Sequence, residues 1–260
     1  MTTIGLLHPG AMGAAVGAAL VRAGHEVLWA SEGRSDETAA RAADAGLTDA
    51  HTVAAVAERS DTLLSIVPPH AALDVAARVA GFGGVFVDAN AIAPATAAGV
   101  ARAVTDGGAT YVDGGIIGPP PSIEAGPRLY LSGAAAEHVA ALFARTPLDT
   151  PVLGPEPAAA SALKMAYAAW TKGSAALVLA ARTAAARPGV EDALLAEWDD
   201  SLPGVRERAE RAAADAETKG WRWVGEMDEI ARTFAAAGLP DGFHRAAAEI
   251  FTSAREHSVP

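Results

Sequence analysis

The run Ile4-Gly5-Leu6-Leu7-His8-Pro9-Gly10-Ala11-Met12-Gly13 carries glycines at the second and third places of a G-x-G-x-x-G spacing, with His8 in the first. At that spacing one glycine lets an anion approach the backbone and the other packs a helix on a strand. An apolar run precedes the turn and a helix-forming run follows it. His8, Pro9, Gly10, Ala11, Met12 and Gly13 are therefore expected to cradle a dinucleotide diphosphate on free helix N–H groups. Eighteen residues past Gly13, where an NAD site usually places an acid, stands Ser31, followed by Glu32, Arg34 and Ser35. Arg34 suits a 2′-phosphate, with Ser31 and Ser35 adding hydroxyl bonds, so NADP(H) is expected; an inward Glu32 would oppose it. The second place is Lys164, inside the apolar stretch 160–166. Burial lowers the pKa of an amine, and such a lysine can protonate a carbonyl oxygen or accept its proton in reverse. The competing reading is a lysine whose stem covers apolar surface. Trp170, Met227 and His244 are candidates for a substrate pocket. The histidines show no H-x-x-x-H spacing, so no metal site is expected.

These residues need elements to position them. Strands are expected at Thr3–Leu7, His25–Ala30, Thr62–Val67, Val85–Asp88, Tyr111–Val112, Arg128–Leu131 and Val152–Leu153. Helices are expected at Ala14–Ala23, Glu37–Ala45 capped by Ser35/Asp36, about Ala71–Ala80, from Pro94 to about Thr105, and Ala134–Arg145. Strand and helix in alternation imply parallel strands with helical crossovers, an α/β Rossmann-like doubly wound sheet. After Pro157 the pattern is helical. One long helix is expected from Ala158 to about Ala186, spanning about 43 Å. Others follow at Glu191–Asp199, Val205–Lys219, Gly225–Ala237 and Gly242–Glu256, with a short strand signal at Trp221–Val224. The expected domains are 1–156, which binds the cofactor, and 157–260, an all-α domain for substrate and dimerisation.

Five ordered segments resemble the β-hydroxyacid dehydrogenases, the group of 3-hydroxyisobutyrate dehydrogenase, which shares its cofactor domain with 6-phosphogluconate dehydrogenase. They are His8–Gly13 with Ala23-Gly24-His25-Glu26-Val27; Ser65-Ile66-Val67-Pro68; Asp88-Ala89-Asn90-Ala91-Ile92-Ala93-Pro94; Asp113-Gly114-Gly115-Ile116-Ile117-Gly118; and Gly154 followed by Lys164. The resemblance implies Val67, Pro68, Pro69 and Asn90 as cofactor contacts, Asn90, Ala91, Ile117 and Gly118 as substrate contacts, and Lys164 as the catalytic residue. It also implies a homodimer. The apolar run Ala175–Ala181 of the long helix is the surface expected to meet the partner. Several positions depart from the family pattern. Asn90-Ala91 replaces Ser-Thr, Ile117 replaces Ser, Ala168 replaces Asn, and Glu226 stands where a second lysine is expected. The C-terminal part, with Lys219-Gly220-Trp221-Arg222-Trp223 and Gly238-Leu239-Pro240, is similar to a subgroup with an uncharacterised C-terminal domain.

The expected activity is hydride transfer between NADPH and the carbonyl of a small molecule, a 3-hydroxy acid or alcohol in reverse. Reduction of C=N bonds and a non-enzymatic NADP(H) sensor are the alternatives. Twenty Lys and Arg against 31 Asp and Glu leave a net charge of −11, which argues against nucleic acid as a partner. There are no cysteines, which excludes disulfides and thiolate chemistry and suits a cytoplasmic protein. The stretch Thr2–Val21 carries no charge until Arg22, but Pro9 and four glycines interrupt it, so it reads as strand, turn and helix rather than a membrane span.

Overall fold

The computed structural model describes residues 2–256; Met1 and residues 257–260, the ends of the two expected domains, lie outside the described residues. Seven strands form one sheet: β1 (Thr3–Leu6), β2 (Glu26–Trp29), β3 (Thr48–Asp49), β4 (Thr62–Ser65), β5 (Val85–Asp88), β6 (Thr110–Ile117) and β7 (Arg128–Ser132). Their order is β3-β2-β1-β4-β5-β6-β7, parallel through β6. The chain winds outward from β1 in one direction and from β4 in the other, which makes the β1/β4 crevice the switch point of a doubly wound sheet. Helices α1 (Ala11–Arg22), α2 (Asp36–Asp44), α3 (Val53–Arg59), α4 (Ala72–Ala77), α5 (Pro94–Thr105) and α6 (Ala136–Leu142) cover it.

Side-chain alternation along the strands builds two cores. Val27, Trp29, Leu64 and Val87 join Val16 and Leu20 of α1 and Val139 of α6. Leu28, Leu63 and Phe86 point the other way, to Val56 of α3, Ala76 of α4 and Val100 of α5.

Two expectations for this sheet are corrected. β7 runs antiparallel to β6. The ten-residue link 118–127 contains Pro119, Pro120 and Pro121 and no helix, so it has no crossover with which to make the pair parallel. β6 is also longer than Tyr111–Val112, because Gly114 and Gly115 continue it rather than end it. A Cβ on Gly114 would lie 3.1 Å from the Asp88 carbonyl oxygen, and one on Gly115 would lie 2.8 Å from that of Ala160. These glycines serve close approach, not a turn. The sequence reading also passed over β3 and α3, which are too short for a periodic signal.

The remaining helices are α7 (Ala159–Ala186), α8 (Glu191–Ser201), α9 (Val205–Ala236) and α10 (Gly242–Glu256). The chain forms two compact units, the first ending at Lys164 and the second beginning at Met165. The expected break at Gly220 and the strand at Trp221–Val224 are both absent: α9 runs through them. Its buried residues Ala209, Ala212, Ala216, Gly220, Met227 and Ile230 form one stripe at helical spacing. α10 packs on that stripe, with Phe251 edge-on to Trp223 at 4.9 Å. This packing outweighs the roughly 1 kcal/mol an interior glycine costs. No described helix is long and apolar enough to cross a membrane.

Candidate functional site

The glycine-rich turn lies at the carboxyl end of β1, at the switch point. Gly10 is the N-cap of α1, and no side chain caps that helix. A Cβ on Gly13 would sit 2.4 Å from the His8 carbonyl oxygen, so only glycine lets α1 approach the strand this closely. His8 is absent from the non-glycine residues with positive φ, which are His51 and Ala158. The first place of the spacing therefore needs no left-handed backbone here, and a side chain is tolerated. An uncapped helix start at Gly10, with the neutral His8 ring beside it, fits an anionic diphosphate.

Two arginines bond to this turn, and the charge of a third, Arg78, acts on the first. Arg34 donates through Nη1 to His8 Nδ1 at 3.1 Å and through Nη2 to the Leu7 carbonyl at 3.2 Å. Arg41 on α2 reaches the Pro9 carbonyl at 3.4 Å and pairs with Glu37. Burial, and then the positive charge of Arg78, hold Arg34 below its usual range. Burial first, then Arg34 and Arg41, lower the pKa of His8 and favour a neutral ring. Ser35 caps α2, its hydroxyl accepting from Thr38 N at 3.3 Å. The Ser31 amide donates to Asp49 Oδ1 at 3.2 Å, and the same oxygen accepts from His51 N at 2.8 Å. Glu32 is exposed, and its backbone N–H is held by the His51 carbonyl. Sequence reasoning missed Arg41, Arg78, Asp49 and His51. Arg41 carried a signal, the i,i+4 pairing with Glu37 on a capped helix; Asp49 and His51 lie in and just after the two-residue β3, which has no periodic signal, and Arg78 sits near the end of an expected helix with nothing local to mark it.

At the ends of β4 and β5, Asn90 is buried and both ends of its amide are engaged. Its Oδ1 accepts from Val67 N at 2.6 Å and its Nδ2 donates to Ser65 Oγ at 3.1 Å. The residue thus clamps the two loops together. Ala91 is half-buried, and Pro69 opens a 3-10 turn to Ala71. Ile117 is buried at the end of β6, and Gly118 beyond it is exposed.

Behind these loops lie two buried carboxylates in register, Asp88 on β5 and Asp113 on β6. Burial, with the charge of Asp113 adding, pushes the Asp88 carboxyl up to about 7, while its bond from Asn90 N opposes the shift. The Tyr111 hydroxyl donates to Asp88 at 3.3 Å, and burial pushes that phenol up. Burial raises Asp113 as well, against bonds from Ser161 Oγ at 2.6 Å, Ser161 N at 2.7 Å and Ser132 Oγ at 3.3 Å. Ser132 also accepts from Ala160 N at 3.1 Å. Asp113 and Ser132 thereby fix the first turn of α7 on the sheet. One turn on is Lys164, half-buried, its Cβ 3.1 Å from where a Cβ of Gly115 would be. The sequence singled out Lys164 but not the carboxylate that seats its helix.

In the helical unit Trp170 is 68% exposed and Met227 is fully buried. His244 is buried, edge-on to Phe234 at 4.2 Å and Phe243 at 5.2 Å; its Nδ1 has no hydrogen-bond partner, and burial lowers its pKa. Glu226, at the departure noted above, forms an ion pair with Lys172 of α7. No group of three metal-ligating side chains occurs among the described residues.

Residues 2–146 match the NAD binding domain of 6-phosphogluconate dehydrogenase, and residues 185–254 match a domain of unknown function, DUF1932. A conserved hypothetical protein from Sinorhizobium meliloti 1021 is 29% identical, with a TM-score of 0.74 over 99% of this chain and 90% of that one. The 3-hydroxyisobutyrate dehydrogenase (ygbJ) of Salmonella typhimurium is 20% identical, with a TM-score of 0.76 over 99% and 95%. An imine reductase from Pseudomonas sp. is 21% identical, with a TM-score of 0.60 over 98% and 94%. A search of curated proteins gives no match. With the cradle, the switch point and the matched domain in agreement, the chain belongs to the family of the NAD binding domain of 6-phosphogluconate dehydrogenase, built as an NAD(P)-dependent oxidoreductase on the fold of 3-hydroxyisobutyrate dehydrogenase.

Proposed function

We propose that the protein uses NADP(H) to reduce a carbonyl of a small molecule, or in reverse to oxidise a 3-hydroxy acid or alcohol. The observation that carries this reading is the pairing of an uncapped, glycine-lined turn with a half-buried Lys164, whose helix is fixed to the same sheet by Asp113. The residues His8–Gly13 would hold the diphosphate, and Val67, Pro68 and Pro69 would line the nicotinamide side. Arg34, Arg41 and Arg78 supply positive charge beside the adenosine end, which favours a 2′-phosphate over a bare ribose. Glu32 of that loop is exposed, and the Asp49 carboxylate beside Ser31 is engaged by the Ser31 and His51 amides.

The bound dinucleotide supplies the hydride. Lys164 supplies the proton: its amine donates to the carbonyl oxygen on reduction and takes the proton back on oxidation. Asn90 does not need to touch substrate to matter, since it fixes the Val67 loop. Of the helical unit's three candidates, Trp170 is exposed, His244 is buried against Phe234 and Phe243, and Met227 is core. A second reading, reduction of C=N bonds, is favoured by the apolar Ala91 and Ile117 and by the committed amide of Asn90, which leave little polar grip on a carboxylate. A screen of NADPH oxidation against aldehydes, keto acids and cyclic imines separates the two. Carbonyl turnover that depends on Lys164 is expected; imine turnover without carbonyl turnover would favour the second reading, and turnover of neither would sink both.

We further infer a homodimer. Tyr167, Trp170 and Leu177 of α7 share one face at helical spacing and are 45, 68 and 56% exposed. Within the run Ala175–Ala181, Ala175 and Ala176 are already buried by the chain itself, and Leu177 offers the open surface.

A further inference from the structure

His8 occupies a place where a glycine usually gives the diphosphate room, and the structure gives its ring definite partners. An arginine can only donate, so the bond from Arg34 Nη1 fixes His8 Nδ1 as the acceptor. The neutral imidazole then carries its proton on Nε2. That nitrogen lies over Gly10: a Cβ added to Gly10 would come 3.3 Å from both His8 Cδ2 and Nε2. It has no protein partner among the described residues, while Gly10 is the uncapped start of α1. The ring therefore sets its Nε2–H edge beside Gly10, at the start of the helix, and its other nitrogen rests on Arg34. Arg34 is itself tied to the same strand end through the Leu7 carbonyl.

We propose that His8 is a specificity-determining residue for the cofactor: fixed by Arg34 as the Nε2–H tautomer, it donates to the diphosphate and couples that contact to the arginine that reads the 2′-phosphate. This rests on the dinucleotide reading given above. A glycine at this place offers backbone room alone; the histidine adds a side-chain donor whose orientation depends on Arg34. The two ends of the cofactor are then read by one hydrogen-bonded unit, and loss of either side chain weakens the other's contact.

The test is equilibrium binding of NADPH and NADH, followed by cofactor fluorescence, to wild type, His8→Phe, His8→Gln, Arg34→Ala and the double variant His8→Phe/Arg34→Ala. His8→Phe keeps a flat ring without a donor or acceptor, and NADPH should bind about 10- to 100-fold more weakly, as for the loss of a bond to a charged group. His8→Gln can accept from Arg34 and donate with its amide, and should stay within about 3-fold of wild type. The cost of His8→Phe for NADPH should shrink in the Arg34→Ala background, since the orienting partner is gone. An unchanged NADPH affinity in His8→Phe, or an equal cost in both backgrounds, would overturn the inference. An independent readout needs no variant: long-range nitrogen–proton correlation on the cofactor-free protein should show His8 protonated at Nε2 and bare at Nδ1. A proton on Nδ1 at pH 8 would overturn it. Wild type that binds neither dinucleotide removes the functional reading together with this one; wild type that binds NADPH while His8→Phe binds equally removes only this one.

Discussion

The sheet unit and the helical unit of this chain are stabilised by different materials. The sheet unit fills both faces with Phe86, Ile4, Leu6, Leu28, Leu63 and Leu64, all fully buried. The helical unit buries mainly alanines, with Met165, Met227, Ile230 and Phe251 as large fully buried side chains. Five other large apolar groups, Trp170, Leu177, Trp221, Leu239 and Phe243, are each half exposed or more. Polar groups are buried in both units: the sheet unit buries Asp88, Asp113, Asn90 and Ser161 in hydrogen bonds and leaves His25 Nδ1 and Thr62 Oγ1 unpaired, while the helical unit buries Glu229 beside Arg232 and leaves His244 Nδ1 unpaired. A unit with a closed core can hold charged groups at fixed places, as a site requires. A unit that leaves bulky apolar groups outside offers an apolar surface.

The comparison can be broken or sharpened by substitution, and the largest effect is expected at Lys164, the last residue of the sheet unit. Lys164→Met should lower turnover by about 10²–10⁴-fold with cofactor binding unchanged, because a general acid is lost and the cradle is not. A steady-state assay beside a cofactor titration reads both; a variant that keeps most of its kcat would refute the role. Asp113→Ala should cost about 2–4 kcal/mol in urea unfolding, since it strands the hydroxyl and amide of Ser161 and the hydroxyl of Ser132. Loss under 1 kcal/mol would mean α7 is seated by other contacts.

Asp88 gives a pH signature confined to the sheet unit. Its folded carboxyl titrates near 7 against roughly 3.9 for an unfolded aspartate, so between those values the folded state holds a proton the unfolded state lacks. Its contribution is present in full below about pH 4 and is lost as pH rises through 7, by up to about 4 kcal/mol. Asp88→Asn should flatten this slope and be the more stable form at pH 8; parallel curves for the two proteins from pH 5 to 8 would disprove it. Arg34→Ala should weaken NADPH binding by about 1.5–3 kcal/mol, and NADH binding by less, since NADH loses only the His8 contact that Arg34 orients. Equal losses by calorimetry would remove the 2′-phosphate role. The smallest effect belongs to the helical unit. Leu177→Asp should leave the fold of the monomer intact, because the side chain is already outside, and shift the mass by light scattering from about twice 26 kDa to 26 kDa. Wild type at the single-chain mass would end the dimer reading.

Much of the sheet unit could be read locally. The turn at His8–Gly13, the cap at Ser35 and the strand Val85–Asp88 each depend on residues within a few positions of one another, and each stands as expected. The helical unit was less legible. Gly220 and the Trp221–Val224 run carry turn and strand signals of their own, and only the packing of α10 decides that the helix continues through them.

The sequence by itself determined the alternation of strand and helix, the glycine turn, the long α7 and Lys164 upon it, because backbone preference and apolar spacing act over one or two turns. Tertiary structure alone decided that β7 turns back on β6, that Asp88 and Asp113 stand side by side, and that Arg34 reaches His8. These pairs are separated by 25 and 26 residues in the chain, and what joins them is strand register and sheet order. No local preference encodes a register; it is fixed when the buried faces of all the strands are satisfied together.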